Sequence, residues 1–302
     1  MTKLKQFCTD KELSFPPKDT SVIAEFLCLI ASSSDRPKSV LTNTVAAMTC
    51  LYSAMKLDNP THDYDINKLV TALVKSQTCA PRIKSATMPV SAFHTLFSTW
   101  PDNHKLTTKQ LRLKAVTLMA LTFMLRPSDV APKAIYMNSD LEWHSLVFSS
   151  RNVTFHDTGH LTVTFHGIKN DYHREGFTIK IPPASTPEVD PVQTLKDYMT
   201  RTSTARLCST DDAVFLTLVK PYHGLSSQGI ASVLQEAIGL AGLSGQGFTA
   251  KSFRPTAATQ SVASGCDSNV ARQVGRWKSH SVFEEHYVHV VVPENFVDKL
   301  VV

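Results

Sequence analysis

Residues 251–289 read KSFRPTAATQSVASGCDSNVARQVGRWKSHSVFEEHYVH, a run that contains an arginine, a tryptophan and a tyrosine in and around two predicted helices. Two earlier stretches contain comparable groups: residues 125–129 read LRPSD, and residues 167–171 read GIKND. Each of these places a cationic side chain within three residues of an aspartate. We expect folding to bring the three stretches together into one active site.

The composition is that of a chain with an ordinary packed core and a mildly basic charge. Its 302 residues are enough for one large domain or two, and 42% of them are hydrophobic. The formal net charge of +5 suits a polyanionic partner without establishing one. The six cysteines form no Cys-x-x-Cys pair and no zinc-finger spacing, so we interpret them as reduced thiols.

Neither a leader peptide nor a membrane span is expected from the sequence. No charged-then-apolar segment opens the chain, and no uninterrupted apolar run approaches the roughly 20 residues that cross a bilayer. We therefore expect an intracellular protein, in the cytosol or nucleus.

Helical periodicity dominates the first third of the chain. Apolar residues recur at helical intervals over residues 20–33, 40–55 and 64–75. A polar, loop-like segment at residues 77–86 ends this helical unit. We therefore expect two domains, a helical one over residues 1–80 and a second one over residues 81–302.

The second domain is predicted to combine helices with short strands. A long buried helix is expected over residues 106–125, and Pro127 bends or ends it. Alternating patterns predict strands at residues 146–148, 153–155, 161–165 and 177–181, with a hairpin turn at residues 157–159. Helices resume at residues 191–199, 226–240, 254–264 and 269–277. The predicted fold class is mainly α with a small antiparallel β-sheet (α+β).

The two arginines have ordinary explanations when each is considered alone. Arg126 ends an apolar helix, where it could cap carbonyl groups or pair with Asp129. Arg254 precedes Pro255, a residue suited to the first turn of a helix. Its guanidinium could therefore be a surface group near that N-terminus.

The lysine and the aromatic residues also have ordinary explanations. Lys169 is predicted in a hairpin turn, where lysines are usually solvated. Tyr287 could pack on the aromatic residue four positions earlier, and Trp277 could be a core indole. His286 and His289 flank the tyrosine, but no carboxylate at ligand spacing accompanies them, so a metal site is not favoured.

Taken together, these side chains match the requirements of phosphodiester cleavage. Attack on a phosphodiester needs a nucleophile, fixed positive charge on the two nonbridging oxygens and a proton donor for the departing oxygen. Arginine suits the charged role because its planar fork donates two hydrogen bonds and stays protonated. Lysine suits the donor role because its pKa can fall in a crowded cationic pocket.

The sequence resembles the tyrosine recombinases, the superfamily of phage integrases and Cre-like enzymes, in the form found in eukaryotic mobile elements of the Crypton, DIRS and Ngaro kinds. Residues 125–129 resemble the first arginine box, residues 166–171 the β-hairpin lysine, and residues 251–287 the second box, which contains GRWKS. The helical first third resembles the core-binding domain, so nearly the whole chain is covered. The resemblance implies a helical, DNA-binding core-binding domain followed by a tyrosine recombinase catalytic domain.

The resemblance also implies a role for each matched residue. Arg126 and Arg254 would hold the scissile phosphate, and Lys169 would protonate the leaving 5′-hydroxyl. Trp277 would donate its indole N–H to a nonbridging oxygen, and Tyr287 would attack to leave a 3′-phosphotyrosyl link. The reaction needs no metal and no cofactor.

Further residues are implied near this chemistry. Asp129 would be a carboxylate that orients active-site groups. Lys251 stands where the family usually has a histidine; it could donate to phosphate, but as a general base it would need a strongly lowered pKa. Trp277 and Tyr287 are ten residues apart, slightly more than the family's usual interval, so His280 could share the third position of the box.

By the same resemblance, the partner would be double-stranded DNA, as terminal repeats and a target site, with four protomers in the synapse. The expected function is recombination or integration of a mobile element in the nucleus. Two alternatives stay open: a domesticated descendant that binds DNA without cutting it, and a type IB topoisomerase. The apolar tail, residues 288–302, would dock on a neighbouring protomer or pack on its own domain.

Overall fold

Backbone contacts divide the chain into two units, Met1–Ile83 and Lys84–Val302. The division lies three residues beyond the predicted boundary at residue 80. The computed structural model describes residues 2–34, 37–76, 87–131, 136–137, 143–144, 148–167, 175–209 and 212–288. Each unit has a buried apolar core of its own.

The first unit is built from helices. Asp19 caps the second helix by accepting a hydrogen bond from the backbone N–H of Ser21 (2.8 Å). The apolar faces of these helices form the core of the first unit, and Tyr52 is fully buried in it. The first helix was not predicted. The helices are α1 (Thr2–Asp10), α2 (Thr20–Ser32), α3 (Pro37–Ala54) and α4 (Tyr64–Ser76).

The second unit is organised around one central helix. Residues 113–120 of that helix, α6, are buried all round, and α8, α10 and α11 pack against it. None of the described helices has the length and apolar character that a membrane crossing requires. The helices are α5 (Val90–Ser98), α6 (Thr108–Thr122), α7 (Pro127–Val130), α8 (Pro191–Arg201), α9 (Ser203–Leu207), α10 (Ser227–Leu240), α11 (Phe253–Ala263), α12 (Ser268–Val274) and α13 (His280–His286).

The second unit also contains two small antiparallel sheets. A two-stranded pair joins β1 (Tyr136–Met137) to β2 (Trp143–His144). A three-stranded sheet has the order β3 (Val153–Phe155), β4 (Leu161–Phe165) and β5 (Phe177–Ile181). β4 alternates buried and half-buried residues, so one face lies on the core.

The fold class predicted from the sequence, mainly α with a small antiparallel sheet, is confirmed. The strands predicted at residues 153–155, 161–165 and 177–181 are present with those bounds. The strand predicted at residues 146–148 is not supported at Phe148, which is a buried residue in a bend. Residues 146 and 147 lie outside the described residues.

The central helix ends earlier than the predicted residue 125. α6 stops at Thr122 because Met124 turns the chain with a positive φ of 50°. The backbone N–H of Leu125 then bonds back to the carbonyl of Ala120 (3.0 Å), which closes the helix end. Pro127 follows at once as the first residue of α7. The residues of α7 are thereby held beside the end of α6.

The helix predicted over residues 269–277 also ends early. α12 stops at Val274, and Arg276 takes a positive φ of 61°. The backbone N–H of Trp277 bonds back to the carbonyl of Arg272 (3.1 Å). Trp277 therefore lies in the turn between α12 and α13 and not in a helix.

An aromatic cluster joins the end of α6 to the sheet. The ring of Phe165, the last residue of β4, lies 5.4 Å from that of Phe123 and 5.3 Å from that of Phe148, centroid to centroid. Phe148 in turn contacts Phe215 at 5.8 Å. The cluster gives the turn after α6 a rigid apolar support.

Candidate active site

The carboxylate of Asp129 lies at the centre of a group of arginines. It is 2% exposed, and its Oδ2 accepts a hydrogen bond from the backbone N–H of Arg126 (3.1 Å). Among the described residues, three guanidinium groups approach this oxygen: those of Arg126 at 3.5 Å, Arg276 at 3.6 Å and Arg254 at 3.9 Å. We call these four residues the arginine cluster. The sequence alone suggested only the contact with Arg126.

The arginine cluster has more positive charge than its carboxylate neutralises. Three guanidiniums against one carboxylate leave a formal excess of two positive charges. Burial, with repulsion from Arg126 and Arg276, lowers the pKa of Arg254 to about 9, and burial lowers the pKa of Arg276 to about 10. Both values lie above neutral pH, so the groups stay charged. The cluster is therefore suited to an anionic ligand such as a phosphate.

Arg254 is held by two turns that are distant in sequence. It lies in the first turn of α11 and is 3% exposed. Its Nη1 donates to the carbonyl oxygen of Met124 (2.6 Å), and its Nη2 donates to that of Gly275. Its Nε is buried with no hydrogen-bond partner among the described residues. The guanidinium is thus buried between the end of α6 and the end of α12 and is not a surface group.

The indole of Trp277 is packed tightly over the backbone of the turn that carries it. A methyl group on Gly275 would lie 1.6 Å from the indole ring, so only glycine leaves room for it. The ring of Phe283 also packs against the indole, 4.8 Å away, centroid to centroid. The guanidinium carbon of Arg254 lies 4.0 Å from the ring centre, within the range of a cation–π contact.

Tyr287 directly follows α13, and its ring packs against the same indole. Its ring centre lies 4.6 Å from that of Trp277 and 5.5 Å from the guanidinium carbon of Arg254. Its backbone carbonyl accepts a hydrogen bond from Thr259 of α11 (3.0 Å), which fixes the end of α13 on the neighbouring helix. Tyr287 and Phe283, the neighbour that the sequence suggested, thus both pack against the indole.

Electrostatics favours the ionised form of the Tyr287 phenol. Burial raises the pKa of this half-buried group, but hydrogen bonding from Arg126 and the charges of Arg126 and Arg254 outweigh burial. The pKa therefore lies below its ordinary value of 10. The indole N–H of Trp277 points to the same effect, since its interaction with the phenol also lowers the pKa of Tyr287. The contact does not reach full hydrogen-bonding geometry. The phenol, beside two cations, thus loses its proton more readily than an ordinary tyrosine.

No family model matches the sequence, and no curated protein matches it either. Solved structures do. XerA recombinase is 15% identical, with 99% of this chain and 88% of that chain covered at a TM-score of 0.50. The XerH site-specific recombinase bound to difH substrate is 12% identical, with 98% and 75% covered at a TM-score of 0.55. The Tn1549 transposon integrase in complex with circular intermediate DNA is 12% identical, with 100% and 91% covered at a TM-score of 0.53.

The chain has the tyrosine recombinase fold. The similarity extends over almost all of the chain and over at least 75% of each of these relatives. At identities of 12–15% the likeness concerns the path of the backbone. The chemistry of the site therefore has to be argued from the side chains of this chain.

Within the tyrosine recombinase fold, five of the predicted site residues lie together, namely Arg126, Asp129, Arg254, Trp277 and Tyr287. Lys251 is exposed in a short 3₁₀ turn, Ala250–Ser252, and is not among the cations that contact the carboxylate of Asp129. His280 is exposed at the start of α13, where its ring contacts Ser268 (3.1 Å) and Glu284 (3.3 Å). Lys169 lies outside the described residues.

The tyrosine recombinase fold also brings in Arg276, which the sequence analysis did not assign. It precedes Trp277, and its side chain is 6% exposed beside Asp129. The charge of the residue was visible in the sequence, but nothing local showed that its backbone takes a left-handed turn into the site. Among the described residues, no group of three or more His, Cys, Asp or Glu side chains is placed to hold a metal ion.

Proposed function

We propose that this protein cleaves and rejoins DNA strands through a covalent bond between Tyr287 and a 3′-phosphate. The observation that carries the proposal is the position of the Tyr287 phenol, against the Trp277 ring and beside the guanidiniums of Arg126 and Arg254. A nucleophile and the charges that would hold its target are thereby gathered in one place. The shared fold with recombinases and integrases in complex with DNA supports the same reaction.

In the proposed reaction the phenol oxygen of Tyr287 attacks the phosphorus atom of the scissile phosphodiester. The phenol proton is released, the oxygen–phosphorus bond forms, and the bond from phosphorus to the 5′-oxygen breaks. Lys169 would then donate a proton to that oxygen, a role that depends on the resemblance alone. The exchange replaces one phosphoester bond by another, so the 5′-hydroxyl of a second strand can reverse it and join the strands.

The arginine cluster would stabilise the charge that develops on the nonbridging oxygens. Arg126, whose side chain is 35% exposed, is the guanidinium most open to a ligand. Among the described residues, the buried Nε1 of Trp277 has no acceptor at full hydrogen-bonding geometry, and a phosphate oxygen would provide one. Removal of one such preorganised donor typically costs about 3 kcal/mol of barrier stabilisation. Fixed guanidiniums provide the positive charge in this mechanism, which therefore uses no metal ion.

The wider biological setting is also part of the proposal. The mildly basic charge of +5 suits double-stranded DNA, bound chiefly through phosphates. The resemblance of residues 125–129 and 251–287 to enzymes of eukaryotic mobile elements supports a substrate of terminal repeats and a target site. By the same resemblance we propose that four protomers assemble in the synapse and that the protein acts in the nucleus.

A covalent trapping experiment tests the proposed function. A nicked duplex that carries the repeats flanking the parent element releases a short fragment on cleavage, so the protein–DNA adduct accumulates and survives denaturation. We expect an adduct with the wild-type protein and none with Tyr287→Phe. Tyr64→Phe, at a tyrosine that is 68% exposed in the first unit, is the matched control and should retain the adduct.

Lys251 favours a second candidate function, DNA binding without cleavage. This exposed lysine occupies the position at which the resemblance expects a histidine. Specific binding to the repeats with no adduct on any cognate substrate would support this function and would overturn the first. A monomer that relaxes unrelated supercoiled plasmid would instead indicate a type IB topoisomerase.

A further inference from the structure

Arg276 has a backbone conformation that a side chain of its size rarely adopts. Its φ is 61°, in the left-handed region that glycine and asparagine tolerate best. A glycine would make the same turn without strain, so the turn itself does not explain an arginine here. Burial of the side chain, which is only 6% exposed, adds a desolvation penalty. Contacts of the guanidinium have to offset both effects.

The guanidinium of Arg276 contacts four parts of the second unit. Its Nη1 donates to the carbonyl oxygens of Phe123 (3.1 Å) and Val274 (3.2 Å). Its Nη2 lies 3.6 Å from Oδ2 of Asp129, and its central carbon lies 5.0 Å from the ring centre of Phe165. One side chain thereby joins the end of α6, α7, the end of α12 and the last residue of β4.

The contacts of Arg276 interlock with those of Arg254. Arg276 binds the carbonyl of Phe123, and Arg254 binds the next one, that of Met124. In the other turn Arg276 binds the carbonyl at residue 274, and Arg254 binds the next one, at residue 275. Carbonyls at the ends of α6 and α12 lack intrahelical donors and carry partial negative charge, so two cations bridge them favourably.

We propose that Arg276 is a positioning residue that holds the turn bearing Arg126 and Asp129 at a fixed distance from the turn bearing Trp277. It touches no substrate in this role. It acts through Asp129, which it contacts directly, and through Arg254, which contacts the same carboxylate and binds the neighbouring carbonyls. The inference rests on the proposed function, because its effect is the geometry of the two guanidiniums and the Tyr287 phenol around a phosphate.

Arg206 provides a matched control elsewhere in the second unit. Its guanidinium donates to two consecutive carbonyls, those of Ala213 (2.9 Å) and Val214, and lies 5.8 Å from the ring centre of Tyr198. It is thus a largely buried arginine with the same kind of contacts, but it is not part of the arginine cluster. Arg206→Lys reports what such a substitution does to stability alone.

The test compares Arg276→Gly, Arg276→Lys and Arg206→Lys with the wild-type protein. For each, thermal unfolding, the Kd for the duplex and the single-turnover rate of adduct formation at saturating DNA are measured. We expect Arg276→Gly to keep the wild-type Kd but to form the adduct about 100-fold more slowly, the loss typical of a small displacement of reacting groups. Arg276→Lys should recover part of the rate because it restores the charge. Arg206→Lys should lower stability and leave the rate unchanged.

Several outcomes would overturn the inference. One is adduct formation at the wild-type rate in both Arg276 variants. Another is a rise in the Kd for DNA that accounts for the whole loss of rate. If Arg276→Gly does not fold, the rate of adduct formation by Arg276→Lys, measured below its unfolding temperature, decides between these results. A wild-type protein that forms no adduct at all would overturn the proposed function and this inference together, whereas normal cleavage by the Arg276 variants would overturn the inference alone.

Discussion

The guanidinium carbon of Arg254 lies 4.0 Å from the centre of the Trp277 indole ring. The ring of Tyr287 lies 4.6 Å from the same indole, so the cation and the phenol share one aromatic support. A cation over an aromatic face is attracted by the negative charge of the ring face. The indole therefore fixes the distance between a positive charge and the nucleophile that would attack beside it.

The first prediction separates the two roles of Trp277. Trp277→Phe keeps an aromatic surface under Arg254 but removes the indole N–H. We expect the rate of adduct formation to fall by a factor of about 100, as for the loss of one preorganised donor. Trp277→Ala removes the support as well and should destabilise the fold by about 3–5 kcal/mol. Single-turnover cleavage and denaturant unfolding measure the two effects; equal cleavage rates in Trp277→Phe and the wild type would exclude the N–H as a donor.

The second prediction concerns the glycine beneath the indole. Gly275→Ala places a methyl group 1.6 Å from the ring, so Trp277 has to move away from Arg254. Overpacking of this kind costs about 1–3 kcal/mol, and we expect the adduct to be lost together with a change in tryptophan fluorescence. Gly239→Ala is the matched control, because the added methyl group meets only Ser244 at 3.5 Å. A stable Gly275→Ala variant with normal cleavage would show that the position of the indole is not critical.

The general architecture could be predicted from the sequence because its signals are local. Alternation over residues 161–165 and 177–181 specifies strands with one buried face, and the structure has them at those bounds. Helical periodicity located most helices in the same way. It placed the ends of α6 and α12 too late, since Met124 and Arg276 form left-handed turns in which glycine is usual. Tertiary contacts, invisible in the periodicity, stabilise those turns.

The residues that the fold gathers at the candidate site could be predicted only in part. Arg126, Arg254 and Tyr287 stood out because phosphodiester cleavage requires fixed cations and a nucleophile. Arg276 did not, because it takes part through backbone carbonyls and Asp129 and not through a recognisable motif position. Lys251 is exposed and is not among the cations that contact Asp129, so its role at the site stays a prediction.

The third prediction concerns the pH dependence of cleavage. The pKa of the Tyr287 phenol lies below 10 because Arg126 and Arg254 outweigh the effect of burial. Ionisation produces the nucleophile, so the cleavage rate should rise with pH with a midpoint below 10, and it should fall again where Arg254, whose pKa is about 9, loses its charge. Arg126→Gln removes a hydrogen bond and a charge while burial remains, so it should move that midpoint upward. The phenolate absorbance of the protein minus that of Tyr287→Phe, titrated with pH, gives the pKa directly; a midpoint unaffected by Arg126→Gln would contradict this account.

The fourth prediction tests Lys169 as the proton donor to the leaving oxygen. Without that ammonium, an alkoxide has to leave unprotonated, so Lys169→Ala should form the adduct poorly on an ordinary substrate. A substrate with sulfur in place of the bridging 5′-oxygen has a leaving group that needs no proton, and we expect it to restore the rate in Lys169→Ala. The same sulfur substrate should not rescue Arg254→Ala, because that variant still lacks the guanidinium that stabilises the charge on the nonbridging oxygens. Failure of the sulfur substrate to rescue Lys169→Ala would assign the acid to another residue, and rescue of both variants would show that the two side chains act on the same oxygen.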